Sequence, residues 1–156
     1  MDQAATSDSP EVNALLDEGR VPAAVKAAGI ALAGAAVLVT LTGLQTALII
    51  RWEGLQVLLP LLLLAAGIGS GLVASSLVKG RAWTLVWSLV ASIGMTVITF
   101  TFFVMSMMSG LVTLLGFLGL GGAAASVVLV ALSIGAFKKL VEVRKKLRAA
   151  GYDLDF

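Results

Sequence analysis

The sequence predicts an all-α integral membrane protein, a four-transmembrane-helix antiparallel bundle with both termini cytoplasmic. Three observations carry that expectation. The 156-residue chain is 59% hydrophobic and 13% charged, with a mean hydropathy of +1.03, whereas a soluble domain carries about 25% charged residues. The charges fall in four places: Asp2 to Lys26, Arg51 with Glu53, Lys79 with Arg81, and Lys138 to Asp155. The gaps between them, together with the uncharged Ser109-Gly110 break, leave four apolar runs at 27–50, 54–78, 82–108 and 111–137, each 24 to 27 residues long. About 20 apolar residues in a helix cross a hydrocarbon core about 30 Å thick. The two- or three-residue connections force neighbours antiparallel and leave no room for a folded extramembrane domain.

The N-terminal segment, residues 1–24, contains a helix-start signal. Ser9 can cap, Pro10 suits the first helical position and Glu11 is an acid in the first turn. Val12, Leu15 and Leu16 give a short apolar stripe that Gly19 ends. The spacing predicts an amphipathic helix of about nine residues, marginal alone, lying on the membrane or against the rest of the chain. Pro22 is placed to start the first span. That span is too long for the core of a signal peptide and follows an acidic segment, so it is expected to be retained.

The transmembrane domain, residues 25–137, is oriented by its cations. Arg20, Lys26, Lys79, Arg81, Lys138, Lys139, Arg144, Lys145, Lys146 and Arg148 lie on one side, and Arg51 on the other. Trp83 and Trp87 then fall at the inner interface and Trp52 at the outer one. Helices in lipid associate through close backbone approach and hydrogen bonds, so small residues should mark the seams. They recur at Ala24, Ala28, Ala31 and Ala35 in the first span and at Gly67, Gly71 and Ala74 in the second. In the fourth span they are Gly116, Gly119, Ala123, Ser126 and Ser133. Pro60 and the Gly119, Gly121, Gly122 cluster are the positions where a helix would bend, if either does more than pack. At an offset of 56 residues, six positions of the second span match the fourth, five of them leucine and the sixth Ser70 with Ser126. The two hairpins are therefore candidate copies.

Residues 138–156 continue the fourth span as a basic juxtamembrane helix with an acidic tail. Phe137, Leu140, Val141 and Leu147 form an apolar stripe, and Lys138, Lys139, Arg144, Lys145, Lys146 and Arg148 outweigh Glu142 for a local charge of +5. Gly151 is a candidate C-cap. This helix is expected to meet anionic lipid head groups or an acidic partner, the chain's own Asp8, Glu11, Asp17 and Glu18 among the candidates. It lacks the aromatic interleaving or reading helix of a nucleic-acid site.

For chemistry the sequence offers hydroxyls and little else. Thr84, Ser88, Ser92 and Thr96 recur every four residues in the third span, and Thr99 follows. Such a row either lines a path for a small solute or bonds backbone carbonyls and neighbouring helices. Thr42, Gln45, Gln56, Thr99, Thr101 and Thr113 have depths compatible with one polar pocket, with Gln45 the most demanding of a partner. Met105 and Met108 share a face, an arrangement commoner in packing than in Cu(I) binding.

The chain has no His and no Cys, which removes zinc sites, thiol catalysis and Ser-His pairs. No Asp, Glu, Lys or Arg lies within a span, although such groups mark proton relays and ion-coupled carriers. No enzyme activity, cofactor or metal is therefore expected. The expected role is a small membrane subunit or scaffold that oligomerises or docks a membrane protein partner; a pore lined by the third-span hydroxyls is the alternative. In glycine and alanine content and its basic tail the chain resembles phage holins, a likeness of composition carried by no motif. The Ala, Val, Leu and Gly bias and missing cysteine fit a bacterial inner membrane.

Overall fold

A computed structural model describes residues 10–49, 57–108, 114–149 and 151, and among these the regular structure is entirely α-helical. Helix α1 spans Pro10–Glu18, α2 Ala23–Ile49, α3 Leu58–Val78, α4 Thr84–Met108 and α5 Leu114–Ala149. Helices α2 to α5 are each long and apolar enough to cross a membrane. The fold is that of a multi-pass helical membrane protein.

Local chemistry sets the helix ends. Helix α1 has the nine residues that Pro10 and Gly19 bracket, and Gly19 N–H donates to Leu15 O at 2.9 Å. The capping position Ser9 lies outside the described residues. Pro22 starts α2 by accepting from the N–H groups of Val25 and Lys26 at 3.0 and 3.1 Å. Pro60 sits in the first turn of α3, where the missing N–H has no partner within the helix to lose, so it starts the helix instead of interrupting it. Helix α5 runs unbroken through Gly119, Gly121 and Gly122 and continues to Ala149. Its 36 residues extend about 54 Å, well beyond a core about 30 Å thick. Gly151 follows it with a φ of 88°, and its N–H donates to Arg148 O.

The turn between α3 and α4 is one that the sequence reading did not single out. Gly80 has a φ of 71°. Its N–H bonds Leu77 O at 2.9 Å while Arg81 N–H bonds Ser76 O at 3.4 Å. These are the two bonds of a Schellman ending, and they need a left-handed residue at Gly80. A Cβ there would also come 2.8 Å from Val21 Cγ2.

Helix α2 packs on α3 and α5, and α4 packs on the same two, while α1 rests on α5. Gly29 faces Val78 and Gly43 faces Leu63 and Leu64, so α2 and α3 run in opposite directions. The core has two apolar clusters. One centres on Leu32, Val39, Leu63 and Met95. The other, toward the charged end, includes Val25, Ala28, Leu77, Val130 and Phe137.

The second hairpin repeats the burial pattern of the first. Helix α3 begins at Leu58 and α5 at Leu114, 56 residues later. The buried positions of α3, namely 60, 63, 67, 70, 74 and 77, recur in α5 at 116, 119, 123, 126, 130 and 133. Positions 28, 32, 36, 39, 43 and 46 of α2 recur in α4 at 84, 88, 92, 95, 99 and 102 by the same step. The packing scheme agrees: under this exchange α2 with α3 becomes α4 with α5, and α3 with α4 becomes α5 with α2.

Candidate functional site

Two groups of side chains stand out from an otherwise apolar molecule. The first is the hydroxyl row of α4. Thr84, Ser88 and Ser92 have no exposed surface and Thr99 is 2% exposed, while Thr96 is half-buried. Most of these hydroxyls are satisfied within their own helix. Ser88 Oγ donates to Leu85 O at 2.8 Å and Thr96 Oγ1 to Ser92 O at 2.8 Å. Thr99 Oγ1 donates to Met95 O at 2.7 Å, and Thr84 Oγ1 bonds Arg81 O in the preceding turn. Ser92 Oγ is buried with no hydrogen-bond partner among the described residues.

The row therefore faces inward, in contact with protein. Its positions Thr84, Ser88, Ser92 and Thr99 are the repeat counterparts of Ala28, Leu32, Ala36 and Gly43 in α2. Hydroxyls occupy in one hairpin what small and apolar residues occupy in the other, and Ser126 and Ser133 of α5 bond their own helix in the same way, to Ala123 O and Val130 O.

Of the described members of the outer polar group, Thr42 and Thr99 are buried, Gln45 is half-buried and Thr101 is exposed. Thr42 is buried and bridges two helices, donating to Leu38 O at 2.8 Å and lying 3.3 Å from Leu115 O of α5. Gln45 is half-buried, its Oε1 without a partner among the described residues. Thr101 faces outward and bonds Val97 O. Gln56 and Thr113 lie outside the described residues.

Most of the small residues predicted for the seams are buried, but Ala24 is exposed and Ala31 and Gly71 are half-buried. A Cβ on Gly67 would fall on Thr40 Oγ1 and within 2.9 Å of Ala36 O, so only glycine lets α3 approach α2 there. Gly71 has more room, its nearest neighbour being Ala36 Cβ at 3.9 Å. Gly119 faces Thr42 and Val39, and Gly122 faces Ala35 and Leu38. Ala123 and Ser126 are fully buried.

The second group is the cap beyond the spans, built on the end of α5. Phe137, Leu140, Val143 and Leu147 are buried along one face at helical spacing. Leu147 Cδ1 lies 3.0 Å from where a Cβ on Gly19 would be, and Leu140 packs under Gly80. Arg144 joins these parts: its Nε donates to Gly19 O at 3.2 Å and one terminal nitrogen to Gly80 O at 2.8 Å. One guanidinium thus holds the α1–α2 link and the α3–α4 turn against α5, using the planar fork that suits arginine to paired acceptors. Burial pushes its pKa below the ordinary arginine value, and the group stays charged, since arginine does not deprotonate in proteins.

The other cations of the helix point outward. Lys138, Lys139, Lys145, Lys146 and Arg148 are exposed. Lys139 Nζ is 3.9 Å from Glu18 of α1 and Lys146 Nζ is 3.6 Å from Glu142, both surface pairs of small energetic weight. Of the acidic residues proposed as a partner for this helix, Glu18 is in place, Asp17 pairs with Arg20 at 3.2 Å, and Asp8 lies outside the described residues. Sequence reasoning grouped Arg144 with its neighbouring lysines. The signal that separates it is helical phase, since residues 137, 140, 144 and 147 share a face.

These features define the class, a multi-pass α-helical membrane protein with a packed interior and a basic cap. No protein-family model, curated protein or solved structure matches the chain.

Proposed function

We propose that this chain is a non-catalytic integral membrane subunit. In this reading it forms a four-helix antiparallel transmembrane bundle in a bacterial inner membrane with both termini in the cytoplasm. It assembles as an oligomer or docks a membrane protein partner through the basic face of α5. The observation that carries the proposal is the division of labour along the α5 extension. One face is anchored by Leu140, Leu147 and Arg144, and the opposite face holds its lysines out on a helix that cannot swing freely. A rigid charged face confers specificity and rapid encounter on a partner of opposite sign. The burial of Thr84, Ser88 and Ser92, at 0% exposure, favours this reading over a pore through a single copy.

Flux through liposomes carrying the purified protein, with ions and small neutral solutes, tests it. The expected result is flux equal to that of empty vesicles, and crosslinks from α5 to other proteins in cells that are lost in the Lys138→Glu, Lys145→Glu variant. Flux abolished by replacing Ser88, Ser92 and Thr96 together with alanine would overturn the scaffold reading in favour of a pore.

A further inference from the structure

The outward side of the α2–α3 seam carries a groove of about 310 Å³ whose lining includes Ala33, Ala36, Thr40, Gly67, Ile68 and Gly71. It lies beside the close contact of the two helices at Gly67, where Gly71 leaves room for a Cβ whose nearest neighbour would be Ala36 Cβ at 3.9 Å. The wall presents carbon, since the Thr40 hydroxyl turns back to Ala36 O at 2.7 Å. Ala36 and Ile68 are the middle residues of α2 and α3, so the groove lies at the centre of both spans.

From there the seam leads to two cations. On α2 the groove face continues at helical spacing from Val37 through Ala33 and Ile30 to Lys26, and on α3 from Ile68 through Leu72 and Ser75 to Lys79. Ile30, Leu72 and Ser75 are exposed, as are both lysines. The lysines end the seam at the same level, because Gly29, one turn from Lys26, packs against Val78, the neighbour of Lys79. Lys26 is ten residues from Ala36 and Lys79 eleven from Ile68, which is about 15 to 17 Å at 1.5 Å per residue. Half of a hydrocarbon core about 30 Å thick is about 15 Å. The groove and the lysines are therefore one leaflet apart.

We propose that this seam is a binding site for one anionic phospholipid, its phosphate between Lys26 and Lys79 and one acyl chain along Ile30 and Leu72 into the groove. Basic positions between helices at the membrane boundary hold anionic head groups, and here the groove adds a place for the chain. The repeat supplies a contrast within the same molecule. By the 56-residue step Gly67 corresponds to Ala123, Gly71 to Val127, Ala33 to Leu89, Lys26 to Ala82 and Lys79 to Gly135. At these positions the second hairpin has no cation, its nearest being Arg81 and Lys138, and it carries Leu89 and Val127 where the first has the small Ala33 and Gly71. A second copy of the chain suits the groove less well, because Gly67, the glycine that would bring a foreign helix closest, already seats α2.

The test is lipid retention by the full-length protein in a neutral detergent, read by native mass spectrometry with added phosphatidylglycerol or phosphatidylcholine. Preferential retention of one phosphatidylglycerol is expected, weakened about 25-fold by Lys26→Gln with Lys79→Gln, at about fivefold per lysine. Lys145→Gln with Lys146→Gln should leave it unchanged, and Ala33→Phe should weaken both lipids by filling the groove. Glycerol phosphate, a head group without chains, should not compete. The proposal is overturned if the two lipids bind alike, if the two lysine pairs have equal effects, if glycerol phosphate competes as well as the whole lipid, or if an Ala33→Cys variant crosslinks to a second copy with no lipid bound. The Lys26 and Lys79 side chains are exposed, so their loss should leave the helical circular dichroism signal intact.

Discussion

The two hairpins share a burial phase and differ in what fills it. In α2 and α3 the buried contacts are made by Ala28, Gly29, Ala36, Gly43 and Gly67, and backbones meet closely enough that a single added methyl at Gly67 has nowhere to go. In α4 and α5 the corresponding positions hold Thr84, Leu85, Ser92, Thr99 and Ala123, and the seam also carries an edge-on pair of Phe103 and Phe117 with centroids 4.5 Å apart. One hairpin gains dispersion by close approach, the other fills a wider seam with larger side chains and hydroxyls bonded to their own helices. Either solution satisfies a helix pair in lipid, where apolar burial by itself supplies little drive. The comparison teaches that the hydroxyl row of α4 occupies positions that α2 fills with no hydroxyl at 28, 32, 36 and 43, while Thr40, the counterpart of Thr96, bonds its own helix at Ala36 O just as Thr96 bonds Ser92 O.

The comparison can be broken most severely at its tightest point. Gly67→Val should cost about 3 kcal/mol, the upper part of the usual overpacking range, because the obstructing atoms include the backbone of α2. Denaturant unfolding in detergent measures it. A loss below about 0.5 kcal/mol would mean that the seam is not as close as described. The next largest effect is expected outside the spans. Arg144→Gln should cost about 1.5 to 3 kcal/mol, the range for hydrogen bonds made by a charged group, and should speed amide exchange around Gly19 and Gly80 while Lys145→Gln does neither.

Smaller changes sharpen the contrast. Replacing Ser88, Ser92 and Thr96 by alanine should shift unfolding by less than about 1 kcal/mol, since the bonds lost are local. Ser92→Ala alone should be neutral or slightly stabilising, because its hydroxyl is buried without a described partner. The smallest effect should come from Gly69→Ala. The added methyl meets nothing within 4 Å, the repeat already holds alanine at position 125, and the gain should be at most about 1 kcal/mol from helix propensity. Destabilisation of more than that by Gly69→Ala would mean that the position faces another molecule.

The elements were legible because charge and hydropathy are local properties. Four uncharged runs are read directly from spacing, and Pro10 with Gly19 bracket α1 without reference to the rest of the chain. The small-residue pattern was legible in part. Gly67, Gly119 and Ala123 were identified by spacing, but Ala24 of the predicted α2 seam is exposed while Val25, Gly29 and Leu32 are buried. Alanine is too common in that helix for spacing to fix the phase, and α2 buries two faces where a single stripe was expected. The shared burial phase of the two hairpins was equally faint, since leucine matches in a leucine-rich chain carry little information until burial is added.

What the sequence by itself determined is the class of solvent, the number of spans and the location of the charge, because each depends on residue type along the chain. Which cations face outward and which one binds the fold together was decided by tertiary structure. Arg144 differs from Lys145 in its forked guanidinium and in a helical phase that turns it toward the carbonyls of Gly19 and Gly80. The same holds for the groove. Lys26, Ala33, Gly71 and Lys79 are unremarkable as letters, and they share one outward surface only when α2 and α3 are packed closely at Gly67 with room left at Gly71.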